Sequence, residues 1–246
     1  MPAALIFRED HVRLKEFPLP HAFSLFRAGN MAERFGNPAE VRRRNAEFLN
    51  ALGLSRDRCV GMVAEHGSRV LKIERGQLGS FLRCDCLVTF IPGTALTLAP
   101  ADCFPVLLTN YNKSFAALIH AGWQGLDKGV VGECVRFLKR KKIQPFEILV
   151  AVGPGIRECC FNNFGLHAKE EWKPFVSGDS GGRVDLLAKL KQDFVDSGVS
   201  EGNIQDLDLK YCTCCAEKDG PGSGHLWYSH WRKKDEGRLL AVVALG

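Results

Sequence analysis

The middle of the chain carries four short apolar runs separated by turn-forming residues, and this pattern limits the possible folds more than any other feature. The runs cover about 86–90, 94–99 and 104–109, followed by SFAALIHAGW. Pro-Gly and Pro-Ala-Asp sequences separate the first three, and such sequences favour turns. Short apolar runs bounded by turns are typical of strands buried on both faces. The pattern therefore predicts consecutive strands inside a sheet.

Other segments predict helices and further strands. Asn37, followed by proline, is the expected N-cap of a first helix; a second is expected over Leu126–Lys141 and a third between Asp185 and Gly198. Strands are also expected on both sides of a bend in RCVGMVAEHGSRVLKI, and in FEILVAVGPGI, DLKYCTCC and RLLAVVAL, with a loop at EKDGPGSGHLW. No repeat or long linker interrupts the chain. We therefore expect one domain, residues 1–246, of the α/β or α+β class, with mixed β-sheet layers flanked by helices.

The composition indicates a protein of a reducing compartment. The chain has 246 residues, ten of them cysteines, with no basic start leading into a long apolar core and no apolar run long enough to span a membrane. These features predict a cytoplasmic protein without membrane association, whose cysteines are mostly thiols. The segments CDC and CTCC contain closely spaced cysteines, which we expect to be small buried residues, with metal binding as the alternative.

The charge balance favours a small substrate over nucleic acid. The net charge is +5, and the runs RRR and KRKK contribute much of it. Both runs are expected to be solvated helix faces, and no aromatic residues are interleaved with them, so no nucleic-acid partner is expected. A mild positive field suits a small anionic substrate. The sequence leaves the oligomeric state open.

His66, Cys103 and His120 are the candidates for chemistry, because each lies at the end of an apolar strand or in a turn beside one. Strand ends are where sites form on α/β sheets. Two histidines and a thiolate can bind zinc and leave a fourth position open, which is the catalytic pattern. Alternatively, Cys103 is a nucleophile activated by a histidine, with Asp102 orienting the imidazole or remaining solvated. Spacing alone does not choose between these interpretations.

The segments EHGSRV, PADCFPVLL, IHAGWQG and VGPGIRECCF, in this order, resemble the YfiH-like laccase-domain family. The resemblance extends over nearly the whole chain, from HAFSLF to WRKKDEGRLLAVV. It implies a fold similar to the cysteine hydrolase fold of cytotoxic necrotizing factor toxins. It also implies a purine nucleoside phosphorylase that takes adenosine, inosine and, as a further candidate, methylthioadenosine, together with adenosine deaminase activity. By resemblance, His66, Cys103 and His120 bind the metal, which is zinc, with copper as a replacement in vitro.

The chain departs from the family pattern beside these three residues. Ala64-Glu65 stands where Gln-Val is usual, Pro100 where threonine is usual, and Gln124 where arginine is usual. These changes bear on substrate choice and rate, and Glu65 adds a carboxylate beside a ligand. Asp85 is expected either to orient a ligand histidine or to serve a turn.

Phosphorolysis requires a group that holds phosphate, and the planar guanidinium of arginine suits that role. Arg27, Arg69 and Arg232 are the candidates, because each lies in or beside a segment that carries the resemblance.

Three alternative functions follow from the same residues. A four-copper laccase requires clustered histidines, whereas this chain has seven histidines and no His-x-His pair. A single copper site with polyphenol oxidase activity stays possible, as does a Cys-His thiol hydrolase or amidase that edits cell-wall precursors. The third alternative is a binding protein without activity.

Overall fold

The computed structural model of the protein describes residues 4–177, 182–217, 224–232 and 236–246. In chain order, the strands within these ranges are β1 Leu5–Phe7, β2 His11–Leu14, β3 His21–Ser24, β4 Cys59–Val63, β5 Val70–Lys72, β6 Phe81–Arg83, β7 Cys86–Thr89, β8 Ala95–Leu98, β9 Phe104–Asn110, β10 Ala116–Ala121, β11 Ile148–Val152, β12 Val176–Ser177, β13 Arg183–Val184, β14 Ile204–Asp206 and β15 Ala241–Ala244. The helices are α1 Pro38–Ala51, α2 Trp123–Asp127, α3 Val130–Arg140, α4 Phe164–His167 and α5 Leu186–Asp196.

Most of the strands form two sheets. The larger sheet has the order β1-β2-β3-β15-β8-β4-β6, and the second has the order β14-β11-β9-β10-β7-β5, while β12 and β13 pair separately. Both sheets are mixed, since β4 runs parallel to β6 and β8, and β5 runs parallel to β7, among antiparallel neighbours. The predicted class, mixed sheets with helices, is confirmed.

Side chains that alternate between the two faces of the central strands contribute to three apolar interfaces. Leu107 and Leu118 of the second sheet are buried with Leu96 and Val243 of the larger sheet, so the two sheets pack face to face. Ile119, the next residue on β10, points the other way and is buried with residues of α3 and α5. Residues of α1 cover the outer face of the larger sheet. The order of layers is therefore helix, sheet, sheet, helices.

The helix starts follow the sequence predictions. The Asn37 side chain accepts the backbone N–H groups of Ala39 and Glu40 at 2.9 and 3.3 Å, so it caps α1. Asp185 caps α5 by accepting the N–H of Ala188 at 2.9 Å. Such caps satisfy donors that a first helical turn leaves unpaired.

Two predicted elements differ from the structure. The helix expected over Leu126–Lys141 is divided into α2 and α3, because Gly129 takes a left-handed conformation with φ 73° between them. The strand expected in DLKYCTCC is wrong: a 3-10 helix over Leu209–Tyr211 is followed by a turn that Ala216 closes by donating its N–H to the Cys212 carbonyl at 2.9 Å. Local hydrogen bonds replace ladder pairing there.

The two strands expected in RCVGMVAEHGSRVLKI are present as β4 and β5, but they belong to different sheets. The connection between them therefore passes from one sheet to the other. Residues 218–223 of the loop expected at EKDGPGSGHLW lie outside the described residues. No helix in the described ranges is long and apolar enough to cross a membrane.

Candidate active site

The register of β9 and β10 brings Cys103 to His120. Ala121 pairs with Phe104 across these antiparallel strands, so Gly122 and Cys103 are the next pair beyond the ladder. The contact is close: a Cβ atom on Gly122 would lie 2.4 Å from the Cys103 Sγ. Glycine at this position therefore leaves room for the thiol beside His120.

The neighbouring strand β7 brings Asp85 to the same place. Ile119 pairs with Cys86 across β10 and β7, and His120 donates its backbone N–H to the Asp85 carbonyl at 2.9 Å. The Asp85 side chain adds a second contact, since its Oδ1 lies 3.2 Å from His120 Nδ1. Asp85 therefore orients the imidazole and leaves the other ring nitrogen, Nε2, available to a ligand.

The loop after β4 carries His66, and Asp85 also holds this loop. The Asp85 carboxylate accepts the backbone N–H groups of Glu65, His66 and Gly67 at 3.1, 2.8 and 2.8 Å. His66 has φ 56°, a left-handed conformation that costs about 1–3 kcal/mol for a residue other than glycine. The three hydrogen bonds offset this cost. Asp85 therefore serves both of the roles expected for it: it stabilises the turn and it orients a histidine.

The three predicted residues converge. One donor atom from each of His66, Cys103 and His120 lies within 4.8 Å of the others. The two imidazole rings are perpendicular, at 89°, with their centroids 4.9 Å apart. His120 is buried, Cys103 half-buried and His66 exposed, so the group opens to one side. The arrangement fits an ion that takes nitrogen and sulfur ligands.

The electrostatics of the group favour a thiolate. Burial raises the pKa of the Cys103 thiol, but the nearby imidazoles of His120 and His66 outweigh burial and lower that pKa to about 6. Burial lowers the pKa of His120, but Cys103 and Asp85 outweigh burial and raise it to about 9. Without a metal the pair is therefore thiolate and imidazolium near neutral pH. Such a thiolate suits both a metal ligand and a nucleophile.

Asp102 fixes the turn immediately before Cys103. It has φ 78° and is buried, and its carboxylate accepts the Thr213 hydroxyl and the Trp231 N–H, each at 2.7 Å. The side chain therefore positions the turn instead of remaining solvated. Because Thr213 and Trp231 lie far along the chain, spacing gave no signal for these contacts.

A cavity of about 710 Å³ opens beside the three residues, and all three line it. This volume lies within the range of small-molecule sites. Four aromatic side chains that line the cavity are Phe81, Trp123, Phe161 and Trp231. Flat apolar faces of this kind suit a planar heterocycle.

The arginines expected to hold phosphate have other partners. None of Arg27, Arg69 and Arg232 is among the described residues that line the cavity. Each donates to backbone carbonyl oxygens: Arg27 to Arg8, Arg69 to Arg83, and Arg232 to Thr213, Cys214 and Trp227. A position near a motif in the sequence does not determine where the guanidinium group of a long arginine side chain lies in the folded protein.

Three other arginines line the cavity: Arg34, Arg56 and Arg238. The guanidinium groups of Arg34 and Arg238 lie 4.4 and 4.1 Å from the centre of the Phe35 ring, which orients them. Arg56 is loosely paired with Glu33 at 3.9 Å. Arg34 and Arg56 were missed because they lie outside the motif segments, whereas Arg238 lies in the closing segment WRKKDEGRLLAVV and was not distinguished there from Arg232.

Asn45 in α1 adds an unused acceptor to the cavity wall. Its Nδ2 donates to the Met31 carbonyl at 3.1 Å, whereas its buried Oδ1 has no hydrogen-bond partner among the described residues. Buried acceptors are rarely left unpaired, so this oxygen is suited to a ligand N–H or O–H group.

The departures from the family pattern surround the same space. Ala64, Pro100 and Gln124 all line the cavity. Glu65 instead pairs with Arg83 at 2.8 Å and is not among the described lining residues. Its carboxylate is therefore engaged outside the group of three residues.

Comparison with known proteins supports the resemblance. Residues 22–246 match the sequence model of a family described as multi-copper polyphenol oxidoreductase laccase. Purine nucleoside phosphorylase YfiH of Shigella flexneri is 34% identical over 224 residues, 88% of this chain and 86% of that protein. Purine nucleoside phosphorylase YlmD of Geobacillus stearothermophilus is 29% identical over 223 residues, 82% of this chain and 76% of that protein.

Solved structures share the fold. The crystal structure of YlmD from Geobacillus stearothermophilus has a TM-score of 0.85 at 23% identity, covering 99% of both chains. A hypothetical protein YfiH of Bacillus licheniformis has a TM-score of 0.84 at 23% identity, covering 97% of both chains. The architecture of two sheets and flanking helices is therefore common to these proteins.

Proposed function

This chain belongs to the multi-copper polyphenol oxidoreductase laccase family, and we propose that it is a metal-dependent purine nucleoside phosphorylase whose metal is held by His66, Cys103 and His120. The convergence of these three donors at the wall of a cavity large enough for a small molecule carries the proposal. The names of relatives, purine nucleoside phosphorylases, support the proposed activity.

Zinc is the proposed ion, because two imidazoles and one thiolate leave one of its four tetrahedral positions open. Asp85 supports this choice, since histidines that bind metals usually donate their second ring nitrogen to a carboxylate. When bound, the ion supplies a Lewis acid at the open position. Copper binds such ligands more tightly than zinc, so we propose that it replaces zinc in vitro.

The protein's own part in phosphorolysis is to hold two reactants together. A phosphate oxygen forms a bond to the ribose C1′ while the N-glycosidic bond breaks and its electron pair leaves with the purine. In place of the arginines first expected, we propose that Arg34, Arg56 and Arg238 hold the phosphate. Holding the phosphate against C1′ replaces a bimolecular encounter and lowers the entropic part of the barrier.

The walls of the cavity suit the other reactant. The exposed ring of Phe81 and the rings of Trp123 and Trp231 offer stacking faces for a purine base. The unpaired Oδ1 of Asn45 offers an acceptor for a ribose hydroxyl or a base N–H. We propose adenosine and inosine as substrates, methylthioadenosine as a further one, and adenosine deamination as a second activity of the same site.

The test is a phosphate-dependent assay on purified protein of known metal content. We expect release of hypoxanthine from inosine and of adenine from adenosine, both abolished by a chelator and by Cys103→Ala. Cys134→Ala, which removes a buried thiol from α3, is the matched control and should retain activity. Activity that is insensitive to chelation and independent of phosphate would contradict the proposal.

One observation favours a second candidate, a thiol hydrolase or amidase acting on compounds such as cell-wall precursors. Asp85, His120 and Cys103 form a carboxylate, imidazole and thiolate series, as in Cys-His nucleophilic sites. A thiolate that holds zinc is not a free nucleophile. Chelation should therefore preserve or raise hydrolase activity while abolishing phosphorolysis, and alkylation of Cys103 should abolish both.

A further inference from the structure

A second group of potential metal ligands, made up of four cysteines, lies apart from the cavity. Cys159 and Cys160 occupy a turn after β11, and Cys212 and Cys215 belong to the turn after the 3-10 helix at Leu209–Tyr211. One Sγ atom from each of the four lies within 4.8 Å of the others, and those of Cys159 and Cys215 are 3.6 Å apart. None of the four is among the described residues that line the cavity.

We propose that Cys159, Cys160, Cys212 and Cys215 form a tetrathiolate site that binds a second zinc ion with a structural role. Zinc–sulfur bonds of about 2.3 Å in a tetrahedron place the sulfur atoms about 3.8 Å apart. The observed spread needs only a small contraction around an ion, and four protein ligands leave no position open for substrate. Closed sites of this kind are typical of structural zinc.

The backbone around Cys212 is arranged for a sulfur that carries negative charge. Its Sγ accepts the N–H of Arg157 at 3.4 Å, and the N–H groups of Cys214 and Cys215 also point to it. Cys212 and Cys215 have the C-x-x-C spacing of one half of a zinc knuckle, closed by the Ala216 N–H on the Cys212 carbonyl. Such N–H donors orient and stabilise metal-bound thiolates.

A buried positive charge accompanies the cluster. Arg157 is 1% exposed, and its Nη2 donates to the Leu207 carbonyl at 3.0 Å, whereas its Nε and Nη1 have no hydrogen-bond partner among the described residues. Its guanidinium interacts electrostatically with Asp206 and Asp185 as well as with Cys212 and Cys159. Zinc with four thiolates carries two negative charges, which a buried guanidinium would partly offset.

The expected role of the CTCC cysteines as small buried residues explains only part of the cluster. Cys212 is buried, but Cys159 and Cys215 are exposed. Exposed thiols gain little from burial of apolar surface, so their convergence with Cys212 needs another reason. Their exposure also gives an ion a path from solvent to the buried sulfur.

The proposed ion would hold together two segments that support Cys103. The loop with Cys159 joins the turn with Cys212 through the Thr213 N–H, which donates to the Gly155 carbonyl at 3.1 Å. Thr213 also donates its hydroxyl to Asp102, the residue before Cys103. Ion binding at the cluster would therefore stabilise the turn that presents Cys103.

The test is the zinc content of full-length variants purified under reducing conditions. Cys103→Ser should lose the ion of the cavity, and the double variant Cys159→Ser with Cys215→Ser should lose the ion of the cluster. We expect about two zinc ions in the wild type, about one in each of these variants and none when the changes are combined. Cys214→Ser is the matched control, because the Cys214 thiol is in the same turn and contacts Cys160 without being one of the four proposed ligands, and this variant should retain both ions.

Cobalt substitution of the Cys103→Ser protein identifies the ligands, because thiolate-to-cobalt absorption increases with the number of thiolates. We expect the spectrum of a tetrahedral tetrathiolate, which Cys215→His should alter without abolishing binding. If the double variant does not fold, this single substitution and thiol labelling of the Cys103→Ser protein still decide the question. Chelation should then expose Cys159 and Cys215 to the reagent.

Three results would overturn the proposal: no metal in the Cys103→Ser protein, a full zinc content in a folded double variant, or labelling of Cys159 and Cys215 that chelation does not change. The outcome is independent of the cavity site. If Cys103→Ser leaves the wild-type zinc content unchanged while the double variant loses it, the cluster is supported and the cavity ion is not.

Discussion

Asp85 Oδ1 lies 3.2 Å from His120 Nδ1, while the same carboxylate accepts three backbone N–H groups of the loop that carries His66. One buried side chain therefore positions two of the three residues proposed to bind metal. This contact depends on the register of β7 and β10, which places Asp85 beside His120.

Asp85→Asn should weaken metal binding at the cavity about 10–100-fold, because the amide removes the charge that supports His120 and loses an acceptor for the His66 loop. Zinc affinity measured by competition with a chelating dye checks this. Asp196→Asn, an exposed change in α5, should bind zinc as the wild type does. Equal affinities for all three proteins would show that Asp85 has no such role.

Gly122→Ala should reduce phosphorolysis about a hundredfold with the fold intact, because the new Cβ would lie 2.4 Å from Cys103 Sγ and must displace it. Activity and far-ultraviolet circular dichroism measured together separate displacement from unfolding. Gly76→Ala is the control, since a Cβ there meets no heavy atom within 4 Å. A fully active Gly122→Ala protein would contradict the proposed position of the thiol.

The double variant Arg34→Ala with Arg56→Ala should raise the KM for phosphate about tenfold or more, while the KM for nucleoside changes less. The KM rises because the two substitutions remove guanidinium groups that would donate hydrogen bonds to the phosphate. Steady-state kinetics at varied phosphate concentration give the result. Arg27 is not among the described residues that line the cavity, so Arg27→Ala should have wild-type kinetics. A raised KM for phosphate in the Arg27→Ala variant alone would instead support the sequence-based expectation that Arg27 holds the phosphate.

Stability should fall in mild acid because of His21. Burial lowers the pKa of this histidine from 6.5 to about 4, and its Nε2 accepts the Leu14 N–H while Nδ1 donates to the Leu19 carbonyl. The unfolded chain therefore binds the proton more readily than the folded protein does. Between about pH 6.5 and about pH 4 the free energy of unfolding should decrease by up to about 3 kcal/mol.

Urea unfolding across this pH range, compared with His21→Asn, measures that contribution. The variant has no titratable group at this position, so its free energy of unfolding should depend less steeply on pH than that of the wild type. Identical slopes for the two proteins would assign the acid sensitivity to other groups.

Features set by neighbouring residues were predictable from the sequence. Apolar runs bounded by turns marked β7 to β10, and the caps Asn37 and Asp185 marked the starts of α1 and α5. These features rest on side-chain alternation and local hydrogen bonds, which involve residues only a few positions apart. The motifs also singled out His66, Cys103 and His120, which the structure brings together.

Contacts between distant segments were not predictable in the same way. Three features depend on where loops meet once the sheets have paired: the approach of CTCC to the Cys159–Cys160 turn, the contacts of Asp102, and the position of Arg34 and Arg238, but not Arg27, among the described residues of the cavity wall. Local patterns therefore specified the strands, the helix starts and the candidate chemistry of this chain. The register of the strands and the packing of the two sheets determined which side chains share a site, because contacts over such separations form only in the folded chain.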